Sequence, residues 1–277
     1  MPTIIDIDAE AAKLTMFRGL TPLTKRAERK GSAAQLPPYR DGLLLLGKSA
    51  GTSHWETHPE DELVHVLDGT ATLDVVQQDG PRSIALGPGT IAIVPPGVWH
   101  RFRSTDGKTT VSTTIPGDHI ELDVEDPRTS KPDLDLGDPR PPSIIDLNTE
   151  LAKLTLFRGR TPQSTMADRK GSSARLAAYR DGTLSVTKFA GKGHWERHLA
   201  GDELIHVLDG TATLETLGKD GPESFALRAG TIAINPQGTW HRFASADGVT
   251  LLAVTPNPSE VVALDVDDPR TVRCEAA

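Results

Sequence analysis

Glu56-Thr57-His58-Pro59-Glu60-Asp61-Glu62 leads to Gly69, then to Gly89, Pro95, Gly97 and His100, and the chain writes this string a second time. The second copy runs Glu196-Arg197-His198-Leu199-Ala200-Gly201-Asp202-Glu203, then Gly210, Gly230, Pro236, Gly238 and His241. Imidazoles and carboxylates kept at matched offsets in two copies are what a divalent metal site requires. The pattern reads as two metal-binding β-barrels in tandem.

Working outward, the duplication covers most of the chain. Ile4-Ile5-Asp6 returns as Ile144-Ile145-Asp146, Lys13-Leu14-Thr15 as Lys153-Leu154-Thr155, Phe17-Arg18-Gly19 as Phe157-Arg158-Gly159, and Tyr39-Arg40-Asp41-Gly42 as Tyr179-Arg180-Asp181-Gly182. The offset is 140 until an extra residue near Gly201 makes it 141, as His100 and His241 show. Units of this length are ordinary single domains rather than the short repeats of a solenoid.

Composition bounds the class. A low aromatic fraction with 25 Gly and 21 Pro in 277 residues suits short strands joined by tight turns and disfavours helical bundles. A formal net charge of −8 gives no general attraction for nucleic acid or an anionic membrane, so a small-molecule substrate or ligand and a metal are the expected partners. The single cysteine, Cys274, excludes an intrachain disulfide and a thiolate metal cluster. No basic-then-apolar leader opens the chain and no apolar run is long enough to span a bilayer, so a cytoplasmic protein is expected.

The spacing predicts an N-terminal barrel over 1–129, a Pro/Asp-rich linker over 130–143 with little to bury, and a C-terminal barrel over 144–277. Ile4-Ile5-Asp6 and Ile144-Ile145-Asp146 could each add an edge strand to the other barrel. Period-two runs such as Glu62 to Leu67, the turn signals Asp68-Gly69 and Gln78-Asp79-Gly80-Pro81, and Ala71 to Val75 read as hairpins. One helix-like stretch covers Asp8 to Lys13.

Strand alternation then sorts the polar residues by face. His54, Glu56 and His58 share a face. His65 lies opposite Glu62 and is set aside. Phe102 and Phe243, each two residues beyond a histidine, are candidate pocket walls or core. Trp99 and Trp240 face away, toward a neighbouring sheet or a second subunit; a homodimer is compatible with that face. If a metal is bound, Glu56, His58, Glu62 and His100 must meet, which a small closed barrel allows.

These strings resemble the two motifs of the cupin superfamily, and the chain as a whole resembles a bicupin: an all-β protein of two tandem double-stranded β-helix, or jelly-roll, barrels. The resemblance implies one metal per barrel, held by His58, Glu62 and His100 in the first and by His198, Glu203 and His241 in the second. The chain departs from the common pattern where the first histidine of the motif is replaced by Glu56 and Glu196. The motif glycine is displaced to Gly51 and Gly191, and Ser104 and Ser245 replace the usual asparagine. Oxalate decarboxylases, germins and quercetin dioxygenases differ at that first ligand.

Two imidazoles and one carboxylate are the set used by non-haem iron oxygenases. Glu56 and Glu196 are read either as fourth ligands, as catalytic acid–base groups, or as partners of Arg18 and Arg158 in ion pairs. As ligands they would make the ligand charge −2, attract anionic substrates less than a three-histidine site does, and favour Fe²⁺ or Mn²⁺ while admitting Zn²⁺ or Ni²⁺. His54 and His194 sit at the mouth, where a satisfied or exposed role is expected. A metal-dependent small-molecule enzyme, a dioxygenase or related oxidoreductase, is the expected function. The alternative is a non-catalytic binding or sensor bicupin; a storage protein fits poorly, since those barrels lack the ligand set.

Overall fold

The computed structural model describes residues 1–136, 140–219 and 221–272, with the backbone of Glu275–Ala276; Cys274 and part of the expected linker lie outside the described residues. The chain divides into two compact units, one of residues 9–148 and the other of residues 1–8 with 149–277. Among the described residues, eleven strands in each form one hydrogen-bonded network. The architecture is the expected all-β one, with two such barrel domains.

In the N-terminal unit the long strand His100–Thr114 organises the barrel. It pairs antiparallel with Gly42–Thr52, Glu62–Gly69, Ala71–Gln77 and Trp55–Glu56. Alternation explains which residues go inward: Val64, Val66, Leu73, Val75, Val94 and Phe102 make one buried cluster. On the other face Trp55, Val76, Trp99 and Ile120 make a second. Arg101, buried beneath Trp55, stacks 4.6 Å from its ring and is ion-paired with Asp74 at 2.9 Å, so this interior cation is both stacked and hydrogen-bonded.

Asp68-Gly69 turns out not to close a hairpin. The segments before and after it both pair with His100–Thr114 in the same sense, and in the C-terminal unit the equivalent stretch is a single strand, Glu203–Leu217. It is a bend within one strand path. Gly69 has φ +75°, and the carbonyl of Gly107 would lie 2.0 Å from a Cβ there, so only glycine lets the two segments pass so closely. The hairpin expected at Gln78-Asp79-Gly80 is present, with Gln77 paired to Gly80. The helix-like stretch forms the helix Ile7–Ala12.

Each barrel takes an edge strand from the opening segment of the other repeat. Thr3–Asp6 pairs with Thr231–Asn235 inside the C-terminal unit, and Ser143–Asp146 pairs with Thr90–Val94 inside the N-terminal one. Ile5 and Ile145 are buried there, and the flanking amides of Ile7 and Leu147 bond to the carbonyls of Gly230 and Gly89. The Pro/Asp-rich stretch has more to bury than its composition suggests. Leu134 and Leu136 pack on the Trp55–Trp99 cluster, and the indole N–H of Trp99 donates to the carbonyl of Asp135 at 2.9 Å. No helix among the described residues is long and apolar enough to cross a membrane.

Candidate metal centre

Backbone register brings the motif residues together. Glu56 is paired directly with His100, and Glu196 with His241. Glu62 lies one strand away, opposite Val94, as Glu203 lies opposite Asn235. His58, Glu62, His100, His198, Glu203 and His241 are all buried, whereas Glu56 and Glu196 are about a quarter exposed toward the mouth. One ligand atom each from Glu56, His58 and His100 lie within 4.8 Å of one another, as do those of His198, Glu203 and His241.

The first barrel places His100 Nε2 2.9 Å from one oxygen of Glu62 and His58 Nε2 3.8 Å from the other. In the second, His241 Nε2 is 2.9 Å from Glu203 and His198 Nε2 is 3.3 Å away. The outward ring nitrogens fix the tautomers. Nδ1 of His58 contacts the Ile115 carbonyl at 2.9 Å, and those of His100 and His241 contact the Val98 and Thr239 carbonyls at 3.0 Å. A carbonyl only accepts, so these Nδ1 atoms carry protons, and Nε2 is the ring atom each histidine aims inward at the carboxylate.

That geometry fits a metal. Nε2 of His58 is buried without a hydrogen-bond partner among the described residues, and Nε2 of His198 and of His241 face only the Glu203 carboxylate, at 3.3 and 2.9 Å, an arrangement that a cation between them would satisfy. The charges agree. Burial opposes ionisation of Glu203, but the charges of His198 and His241 and their hydrogen bonds hold it well below the usual carboxylate range. For His241 burial is likewise outweighed, by the hydrogen bond and charge of Glu203 and the charge of Glu196, which raise it to about 9. Protons thus stand where an ion would balance the carboxylates.

Glu56 and Glu196 make no ion pair with Arg18 or Arg158. Both arginines are exposed, and Arg18 donates to the carbonyl of Asp106. Their partners are the residues read as bystanders at the mouth: His54 Nε2 is 3.4 Å from Glu56 and His194 Nε2 is 3.5 Å from Glu196. Burial pushes Glu56 up, but the contact with His54 and the charges of His100, His54 and His58 hold it at about 2; Glu196 is held at about 2 chiefly by His194 in the same way. Both remain anionic throughout the working range, which suits a ligand better than a general base.

His65 pairs in register with Ile91 and Val111, away from the centre. The ring of Phe102 meets His100 edge-on at 5.8 Å and that of Phe243 meets His241 at 6.0 Å, so both line the site as alternation predicts. Ser104 and Ser245 accept from the amides of Gly107 and Gly248, which fastens the turn beyond each motif. Sequence reasoning missed Asn235, Thr255 and Ser259, which hold Glu203 and His198 through hydrogen bonds of 3.1, 2.8 and 2.9 Å. No motif marks them: Asn235 stands where the first barrel has Val94, Thr255 where it has Thr114, and Ser259 pairs with His198 where the first barrel sets Gly117 against His58.

Comparison with known proteins gives the family. The cupin domain family matches residues 42–115 and 185–255. Two acireductone dioxygenases from Rhodopseudomonas palustris, strains TIE-1 and ATCC BAA-98 / CGA009, are each 36% identical over 52 residues, covering 19% of this chain and 32% of those proteins. The chain therefore spans about a third of the length of these relatives. Among solved structures, a cupin 2 conserved barrel domain protein from Leptotrichia buccalis superposes with a TM-score of 0.55 at 12% identity, covering 92% of this chain and 96% of that one. Oxalate decarboxylase from Bacillus subtilis at pH 4.6 gives 0.50 at 12% identity, covering 81% and 71%. At such identities these structures bear on fold alone.

Proposed function

The chain belongs to the cupin domain family, and from that premise and the buried His/Glu groups we propose that each barrel carries out metal-dependent chemistry on a small molecule, of the dioxygenase class or a related one. The observation that carries this reading is the pair of buried Nε2 atoms aimed at one shared carboxylate in each barrel. His58, Glu62 and His100, with Glu56 as a fourth group, would hold a divalent ion in the first barrel; His198, Glu203, His241 and Glu196 would do so in the second. Such an ion supplies Lewis acidity toward substrate oxygens and, as iron or manganese, redox capacity.

The protein's own groups prepare the site. The carbonyls of Ile115, Val98 and Thr239 orient the imidazoles, so little rearrangement is needed when a ligand set is completed. His54, beside Glu56 at 3.4 Å, orients that carboxylate. Phe102 and Phe243 form apolar walls that exclude water from the histidines. The acireductone dioxygenases support the dioxygenase class over the short segment they share.

The experiment is oxygen uptake by the metal-loaded chain with a panel of diketones, catechols and hydroxy acids, run beside the His100→Ala, His241→Ala double variant. Turnover that the double variant loses supports the proposal. Tight ligand binding with no turnover of any panel member would favour a binding module instead.

A further inference from the structure

Each barrel also carries a partly buried cation, Lys108 in the first and Arg160 in the second. Lys108 is partly buried in a cavity of about 790 Å³ that Glu56, Glu62 and Phe102 also line, its Nζ 5.3 Å from the Phe102 ring, with no ion pair among the described residues. Burial pushes this ammonium down to about 8 against the attraction of Glu56 and Glu62, with the charge of Arg29 adding to the depression. The C-terminal barrel has Val249 in the matching position. There the cation comes from another strand: Arg160, which replaces Leu20, stacks 4.4 Å from the Phe189 ring. Burial, then the charge of Arg169, push it down to about 10, and Glu196 pulls the other way.

The exchange is coordinated across the sheet. Lys108 pairs in register with Ser49, and Val249 pairs with Phe189. A small residue thus stands opposite the lysine, leaving its side chain room, while in the second barrel the phenyl ring takes that space and supports the guanidinium. Leu20 and Arg160 both lie beside the positive-φ glycines Gly51 and Gly191. Each barrel therefore keeps one wall cation by a different route, and each adds an arginine from the matching loop, Arg29 or Arg169. The Nε of Arg169 is itself buried without an acceptor among the described residues. Lys108 and Arg29 line the same cavity of the first barrel, where like charges repel each other and lose hydration, and an anion between them relieves both costs.

We propose that each barrel recognises a small organic carboxylate, gripped by Lys108 and Arg29 in the first and by Arg160 and Arg169 in the second, above the His/Glu group. This deepens the proposed function and rests on it only for the identity of the neighbouring centre. A divalent ion would be neutralised by two glutamates, so the attraction for an anion has to come from these cations. Lysine offers a point charge and arginine a planar fork, so the two barrels select different carboxylate geometries.

Calorimetric titration of the full chain at pH 7 with malonate, and with malonamide as the neutral counterpart, tests this. Wild type should bind two malonates and prefer malonate over malonamide by about tenfold or more. Lys108→Met and Arg160→Met should each leave one malonate bound, with metal content unchanged, and Lys108→Arg should retain both. Failure of wild type to bind malonate, equal binding of malonamide, or malonate binding indifferent to both Met substitutions would overturn the assignment. Elemental analysis of the same samples separates the two readings: malonate binding in this pattern without metal keeps the anion site and refutes the metal centre, and metal without malonate binding does the reverse.

Discussion

Asn235 donates its side-chain N–H to Glu203 at 3.1 Å, and in the first barrel the residue opposite the equivalent Glu62 is Val94. Thr255 gives Glu203 a second hydrogen bond at 2.8 Å, whereas Thr114, its counterpart, bonds to the carbonyl of Ile115. The two centres thus share ligand types and differ in how firmly the carboxylate is oriented. Replacing Asn235 and Thr255 together with Val should weaken the C-terminal site by about 10–100-fold and leave the N-terminal site unchanged. Competition with a chromogenic chelator reads both sites, and equal weakening of the two would contradict the asymmetry.

Glu56→Gln should weaken metal binding in the first barrel and Glu196→Gln in the second, because each removes an anion that stays ionised down to about pH 2. His54→Ala should produce a smaller loss of the same kind, through poorer orientation of Glu56. Retention of full metal affinity in the Glu56→Gln, Glu196→Gln double variant would remove both residues from the ligand set.

Lys108 ties stability to pH in a defined direction. Its folded value is depressed to about 8 from 10.5, so below pH 8 the folded protein carries a charge it holds at a cost. Between about 8 and 10.5 the unfolded chain binds the extra proton, and this group's contribution makes stability rise with pH across that window. Lys108→Met should therefore stabilise the chain at pH 7 by about 1–2 kcal/mol and gain less at pH 10. Thermal unfolding at both pH values checks it; a destabilised variant at pH 7 would show the lysine to be a structural contact.

The fold was legible because it rests on a period of two. Alternation put Phe102 beside His100 and His65 on the far face, and register in the structure does the same. The candidate site residues stood out because imidazole and carboxylate recur together in both copies. What the sequence hid follows from tertiary distance: Asp68-Gly69 has the local chemistry of a hairpin, yet both flanking segments pair with His100–Thr114. The ion pair expected between Glu56 and Arg18 does not form, because Arg18 stays exposed and donates to Asp106, and His54, whose parity was read correctly, acquires its role only by meeting Glu56. Lys108 and Arg160 belong to no motif, and only aligning the two copies against strand register shows one cation replacing the other.

The edge strand Thr3–Asp6 completes the C-terminal unit, with Ile5 only 5% exposed. Ile5→Ala should cost about 2–4 kcal/mol and lower hydrogen-exchange protection at 231–235, while protection at 90–94 stays as in wild type. Ile145→Ala should show the reverse pattern. Loss of protection in both segments from either single change would mean that the barrels do not own these strands separately.

The central claim is that two His/Glu groups each hold one divalent ion. Elemental analysis of the full chain, reconstituted with Mn²⁺ or Fe²⁺ and freed of loosely bound ions, measures it directly. The account predicts about two ions per chain, one in either His100→Ala or His241→Ala, and none in the double variant, with the β circular dichroism signal unchanged throughout. Full metal content in the folded double variant would contradict it.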